Sequence, residues 1–168
     1  MSHPLIVALF GNPEAAAVAA RELHAAGVTR ERISIISRNH DEETSLADNV
    51  GGTPGVEIED SRTAARLGEL SGYLLAAIAL VLPGVGPIVA AGPLAAGLGE
   101  AAGHVAGGVA STLTGAGLAP ARAEALQSAV EGGAILLGVH TVDSKVDVVR
   151  AIFVAAGASE IEMARWTE

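Results

Sequence analysis

From Leu70 to Gly99 roughly thirty residues pass without a charge, a length that in one piece suits a membrane-spanning helix. The middle of the run forbids a single span. Pro83-Gly84-Val85-Gly86-Pro87 divides it, because proline lacks an amide proton and clashes with the preceding helical turn. Each arm is about a dozen residues, near 18 Å as a helix, against a hydrocarbon core of about 30 Å. This predicts a helical hairpin. Its first helix begins at Asp60 or Ser61, runs through Leu67, Leu70, Leu74 and Ile78, and ends near Leu82; Pro83, Gly84, Gly86 and Pro87 form the turn.

Beyond the turn, small residues recur at every fourth position: Ala91, Ala95, Gly99, Gly103, Gly107, Ser111 and Gly115. The chain is 50% hydrophobic but only 2% aromatic, so its helices are built from small aliphatic side chains that permit close approach. Each glycine in a helix interior costs about 1 kcal/mol relative to alanine, so this segment needs a packing partner to stay helical. A partner that follows the groove of a four-residue repeat crosses at about −40 to −50°. Gly99, Gly103, Gly107, Ser111 and Gly115 are therefore the candidate helix-packing residues, acting within a protomer, between protomers or in lipid. Gly117-Leu118-Ala119-Pro120 closes the segment, Ala121 to Val130 reads as a short helix, and Gly132-Gly133 returns the chain to a strand.

The two ends of the chain repeat one pattern. Leu5 to Phe10 is a continuous apolar run, the pattern of a strand buried on both faces or at a sheet centre; Asn12 caps a helix with Pro13 in its first turn, and Gly27 stops it. Ile33 to Ile36 is a second strand. Near the other end, Ala134 to Thr141 reads as a strand, Asp143 or Ser144 as a cap, Ser144 with Asp147 as a capping box, Lys145 to Ala156 as a helix stopped by Gly157, and Ile161 to Ala164 as an edge strand. At a shift of about 130 residues the halves superpose in role, Leu5 on Ile135, Leu9 on Val139, Val18 on Val148 and Leu23 on Phe153. Two such βαβ halves with right-handed crossovers give a four-stranded antiparallel sheet with two helices on one face. The expected fold class is thus α+β, a ferredoxin-like βαβ…βαβ sandwich carrying an inserted Gly/Ala-rich apolar helical hairpin. Its parts are residues 1–38 (first half), 39–59 (an acidic loop with Asp41-Glu42-Glu43), 60–131 (hairpin insert with return helix) and 132–168 (second half).

Leu82-Pro83-Gly84-Val85-Gly86-Pro87, Ala90-Ala91-Gly92-Pro93-Leu94, the glycine ladder, Gly117-Leu118 and Gly132-Gly133 together resemble the bacterial general stress protein domain family, which includes heat- and low-temperature-induced proteins. The resemblance spans nearly the whole chain. It implies stress-linked expression and supplies no catalytic residues. The family pattern has a more acidic helix after the Gly-Leu turn, often with an aromatic residue, where this chain has Ala121-Arg122-Ala123-Glu124.

The chemistry-bearing residues are sparse. His3, His24, His40, His104 and His140 show no HxH, HxxxH or HExxH spacing, so a zinc site would have to be assembled from distant positions. His104 stands four residues after Glu100, close enough to pair on one helix face. There is no cysteine, no GxSxG elbow and no EF-hand spacing, and Gly11-Asn12-Pro13 is explained by capping. No catalytic, cofactor-binding or metal-ligating residue is assigned. The formal net charge of −9 and the shortage of aromatics argue against nucleic acid.

The resulting expectation is a non-enzymatic, cytoplasmic homo-oligomer whose apolar hairpins pack between protomers. A membrane-associated protein that inserts the hairpin into lipid, and a small-ligand-sensing ferredoxin-like domain, are the alternatives.

Overall fold

The computed structural model describes residues 2–38, 78–82, 86–101 and 108–167. The elements in chain order are β1 (Ser2–Phe10), α1 (Pro13–Ala25), β2 (Ile33–Arg38), β3 (Ile78–Leu82), β4 (Gly86–Ala91), α2 (Pro93–Ala101), α3 (Val109–Gly115), α4 (Pro120–Glu131), β5 (Ile135–His140), α5 (Val146–Ala155) and β6 (Glu160–Thr167). The strands form one six-stranded sheet in the order β3-β4-β2-β5-β1-β6. Every neighbouring pair is antiparallel.

The apolar run of β1 faces two cores because successive side chains in a strand point to opposite sides. Ile6, Ala8 and Phe10 join Ala16, Leu23, Val149 and Phe153 beneath α1 and α5. Leu5, Val7 and Leu9 join Leu94, Leu98, Leu113, Leu126 and Val130 beneath α2, α3 and α4. The protein therefore has three layers, with helices on both faces of the sheet, where the sequence predicts two helices on one. This explains why β1 carries a continuous apolar run from Leu5 to Phe10, and why β2 and β5 are buried along almost their whole length, each strand being covered on both sides.

Local signals at the helix ends hold. The Asn12 side chain accepts the Ala15 amide at 2.8 Å, and Pro13 stands in the first turn of α1. At the other end the Val28 amide donates to the Leu23 carbonyl at 3.0 Å, and the Ala158 amide repeats this with Phe153 at 3.0 Å. Gly27 at φ 80° and Gly157 at φ 87° provide the left-handed turns these closures need. Lys145 adds a bond from Nζ to the Ala26 carbonyl at 3.2 Å, placing a cation at the negative end of α1.

Two details of the halves differ from expectation. Asp143–Lys145 forms a short 3-10 turn before α5 with no side-chain cap, so the Ser144 capping box is absent; Asp143 instead meets Arg165 at 2.6 Å. The internal repeat is also one residue out of step in its strands. The helices match as expected, Val18 with Val148 exposed and Leu23 with Phe153 buried. However, Leu5 and Leu9 face the α2–α4 layer while Ile135 and Val139 face α1 and α5. The matching strand residues are Ile6, Ala8 and Phe10 with Ile135, Leu137 and Val139.

The largest correction falls on the uncharged run. Around the turn it is a β-hairpin: Ile78 pairs with Ala90, Leu80 with Ile88 and Leu82 with Gly86. A short, wholly apolar run has no polar stripe to distinguish helix from buried strand, and Ile78, Val81, Ile88 and Val89 favour the strand. Pro87 is tolerated because β4 pairs with β2 only over Ile88 to Ala91, beyond the proline. Gly86 and Pro87 open β4, whereas Pro83 and Gly84 lie outside the described residues, as do the acidic loop 39–59 and the start of the first arm at 60–77.

This overturns the membrane reading. No helix among the described residues is long and apolar enough to cross a membrane. In the described part of the stretch beyond the turn, Leu94, Ala95 and Leu98 of α2 are all buried in the core. Membrane association is accordingly removed from both the expected partners and the expected location.

Candidate functional site

The glycine ladder does not form one continuous groove. Ala91 lies in β4, Ala95 and Gly99 in α2, and Ser111 and Gly115 in α3; Gly103 and Gly107 lie outside the described residues. Ser111 is exposed and donates to the Gly108 carbonyl at 3.0 Å. A methyl group built on Gly115 would meet nothing within 4 Å. Among the described glycines of this segment, two that lie between the rungs make close approaches. A methyl on Gly97 would stand 2.9 Å from Thr112 Cγ2, and one on Gly108 2.8 Å from Gln127 Oε1, the same oxygen that accepts the Ala110 amide at 2.9 Å. A four-residue period alone cannot identify these contacts, because α2 and α3 are separate elements.

The distinction has a measurable sign. Gly97→Ala forces the buried Thr112 aside and should lower stability by about 1–3 kcal/mol. Gly115→Ala should raise it by up to about 1 kcal/mol, since only helix propensity changes. Chemical denaturation of the two variants against the parent separates these outcomes.

Polar side chains gather at one end of the sheet. His3 lies on the same side of β1 as Leu5, and His140, the last residue of β5, is paired opposite Leu5. Trp166 of β6 is paired opposite His3. Three ring side chains from three adjacent strands therefore converge at the rim of the face that α2–α4 cover. His3 Nε2 and His140 Nδ1 are 2.9 Å apart, so one ring donates and the other accepts a single N–H···N bond. The Trp166 ring stands edge-on to His140 at 4.9 Å between centroids. His140 is 6% exposed, and His3 and Trp166 are half-buried, so solvent reaches the pair from the His3 side.

Sequence spacing does not reveal this pair, whose members are 137 residues apart. The available signal is positional: one histidine opens β1 and another ends β5, and antiparallel neighbours bring such ends together. His24 stands on exposed helix surface, and His40 and His104 lie outside the described residues. Among the described residues no group of three or more His, Cys, Asp or Glu gathers.

The outer rims of the sheet contrast with one another. β6 carries Glu160, Glu162 and Arg165. Arg122 of α4 approaches Glu160 at 3.7 Å and Glu162 at 3.4 Å. Arg122, which departs from the resembled family's pattern, is thus a partner for the acidic β6. At the opposite rim β3 is Ile-Ala-Leu-Val-Leu, with β4 its only strand neighbour among the described residues.

No protein-family model, curated protein or solved structure matches this chain.

Proposed function

We propose that this chain is a non-enzymatic, homo-oligomeric interaction module of the bacterial general stress protein type, with β3 as the surface that meets a second copy. The observation carrying the reading is the difference between the two sheet rims. An edge strand presents every second amide and carbonyl away from its neighbour, and natural proteins guard such edges with charge. β6 is guarded in that way, and β3 carries no charge. In a chain of net charge −9, a neutral edge is where two copies approach with least repulsion. A two-fold pairing centred on Leu80 continues the antiparallel pattern of the sheet and sets apolar residues opposite apolar residues.

The order β6-β1-β5-β2 with α1 and α5 on one side supports reading this core as ferredoxin-like, with residues 39–131 as the insertion between its halves. On that reading the insertion has two roles. It covers the second face of the sheet, and it extends the sheet by the β3–β4 hairpin to a rim where β3 has only β4 as a strand neighbour among the described residues. The residues that carry the family resemblance serve those roles, at the hairpin turn and at the helix stops near Gly117 and Gly133.

Sedimentation equilibrium at micromolar concentration tests the proposal. The parent chain should be a dimer, and both Leu80→Lys and Ala79→Lys, at successive positions of β3, should sediment as monomers with unchanged circular dichroism. A monomeric parent, or a dimer that survives both substitutions, would exclude β3 pairing.

A further inference from the structure

We infer that His3 and His140 form a binding site for a divalent transition-metal ion, with copper(II) the preferred occupant. This inference is independent of pairing through β3. The facing nitrogens, His3 Nε2 and His140 Nδ1, are 2.9 Å apart. Two imidazole nitrogens bound at about 2.0–2.1 Å lie about 2.8–3.0 Å apart in adjacent positions of a square-planar or octahedral ion, and about 3.3–3.4 Å apart in a tetrahedral one. The present separation is that of the hydrogen bond, short enough for one ion to reach both nitrogens once the rings turn their lone pairs toward it, and copper(II) stands highest in intrinsic affinity for nitrogen ligands.

The surroundings fit the same assignment. Adjacent strands hold both rings: His140 is paired opposite Leu5, two residues along β1 from His3, and the Thr141 amide donates to the Pro4 carbonyl at 2.9 Å. The ligands are thus positioned before an ion arrives, which lowers the ordering cost of binding. The proton now shared between the rings moves to the far nitrogen of its own imidazole, leaving both facing lone pairs for the ion without net proton release. His3 is half-buried, so the remaining coordination positions open toward water. A site with two protein ligands and an open side binds reversibly, in contrast to the closed four-ligand sites that hold structural zinc.

Trp166 provides a local reporter. It is the sole tryptophan and its ring centroid lies 4.9 Å from that of His140, close enough for bound copper(II) to quench its emission. Titrating the full chain with copper(II) chloride at neutral pH should quench Trp166 saturably at a single equivalent. EDTA should restore the signal, and electron paramagnetic resonance should report two imidazole nitrogens on the ion. His3→Gln and His140→Gln should each abolish the saturable phase, while His24→Gln should retain it. Quenching that never saturates, a resonance spectrum with one imidazole, or a saturable phase that survives in either pair variant would overturn the assignment. Should the buried His140→Gln change prevent folding, His3→Gln and the parent's resonance spectrum decide the question.

Discussion

Gly92→Ala should destabilise this protein by about 3–5 kcal/mol, a large part of the roughly 5–15 kcal/mol that holds a typical domain folded. Gly92 sits at φ 81° between β4 and α2, where an L-residue pays about 1–2 kcal/mol for the left-handed backbone alone. The greater obstacle is space. A methyl group there would stand 2.1 Å from the Ile33 carbonyl oxygen and 2.7 Å from Ser34 Cα, and both are backbone atoms of β2 that no rotamer change can move. Relief would require lifting α2 away from the sheet. That would break the bond from the Leu94 amide to Ser34 Oγ at 3.0 Å and withdraw Leu94 from the notch left by Gly138, where a methyl would come 2.8 Å from Leu94 Cδ1. Gly157→Ala is the internal control, with φ 87° and nothing within 4 Å of the added methyl, so only the backbone cost of about 1–2 kcal/mol remains. Urea unfolding of both variants should show a gap of at least about 1 kcal/mol between them. Equal losses would mean that the close seat of Gly92 on β2 is relieved without cost.

Phe153→Ala should cost about 3–5 kcal/mol, the usual range for emptying a fully buried aromatic site. The chain has only two phenylalanines, and they meet: Phe10 of β1 and Phe153 of α5 lie edge to face with centroids 5.8 Å apart. Around them the layer is largely alanine and β-branched residues, including Ala16, Ala19 and Ala20 of α1, which are too short to collapse into the space an aromatic ring leaves. The neighbouring Val154, 66% exposed on the same helix, should tolerate alanine within about 0.5 kcal/mol. Thermal melts of the two variants provide the comparison, and a small loss for Phe153→Ala would show that α5 is not anchored by this contact.

Much of the outer frame was legible because its signals are local. Asn12 before Pro13, the glycines at 27 and 157, and the short apolar runs at 5–10 and 135–140 each depend on residues within a few positions, where capping, left-handed turns and strand burial are decided. Arg122 shows the limit. On sequence it is a departure from an acidic pattern, and only the fold sets it against Glu160 and Glu162. The histidines show the same limit more sharply, since spacing rules find ligands on one helix or loop and cannot see two strands whose ends meet across a sheet.

The sequence by itself determined the strand-helix-strand units at each end, the Asn12 cap, the glycine stops at 27 and 157, and a break at Pro83 to Pro87 that turns the uncharged run back on itself. Local chemistry governs all of these. Tertiary structure alone decided that the run beside the break pairs as β3 and β4, that α2–α4 cover the second face of the sheet, and that Gly92, Gly97 and Gly108 are tight where Gly115 is open. It also brought His3 to His140. An apolar segment with no polar stripe carries no period of its own, so its conformation follows from which backbone partners and which uncovered apolar face the rest of the chain offers it.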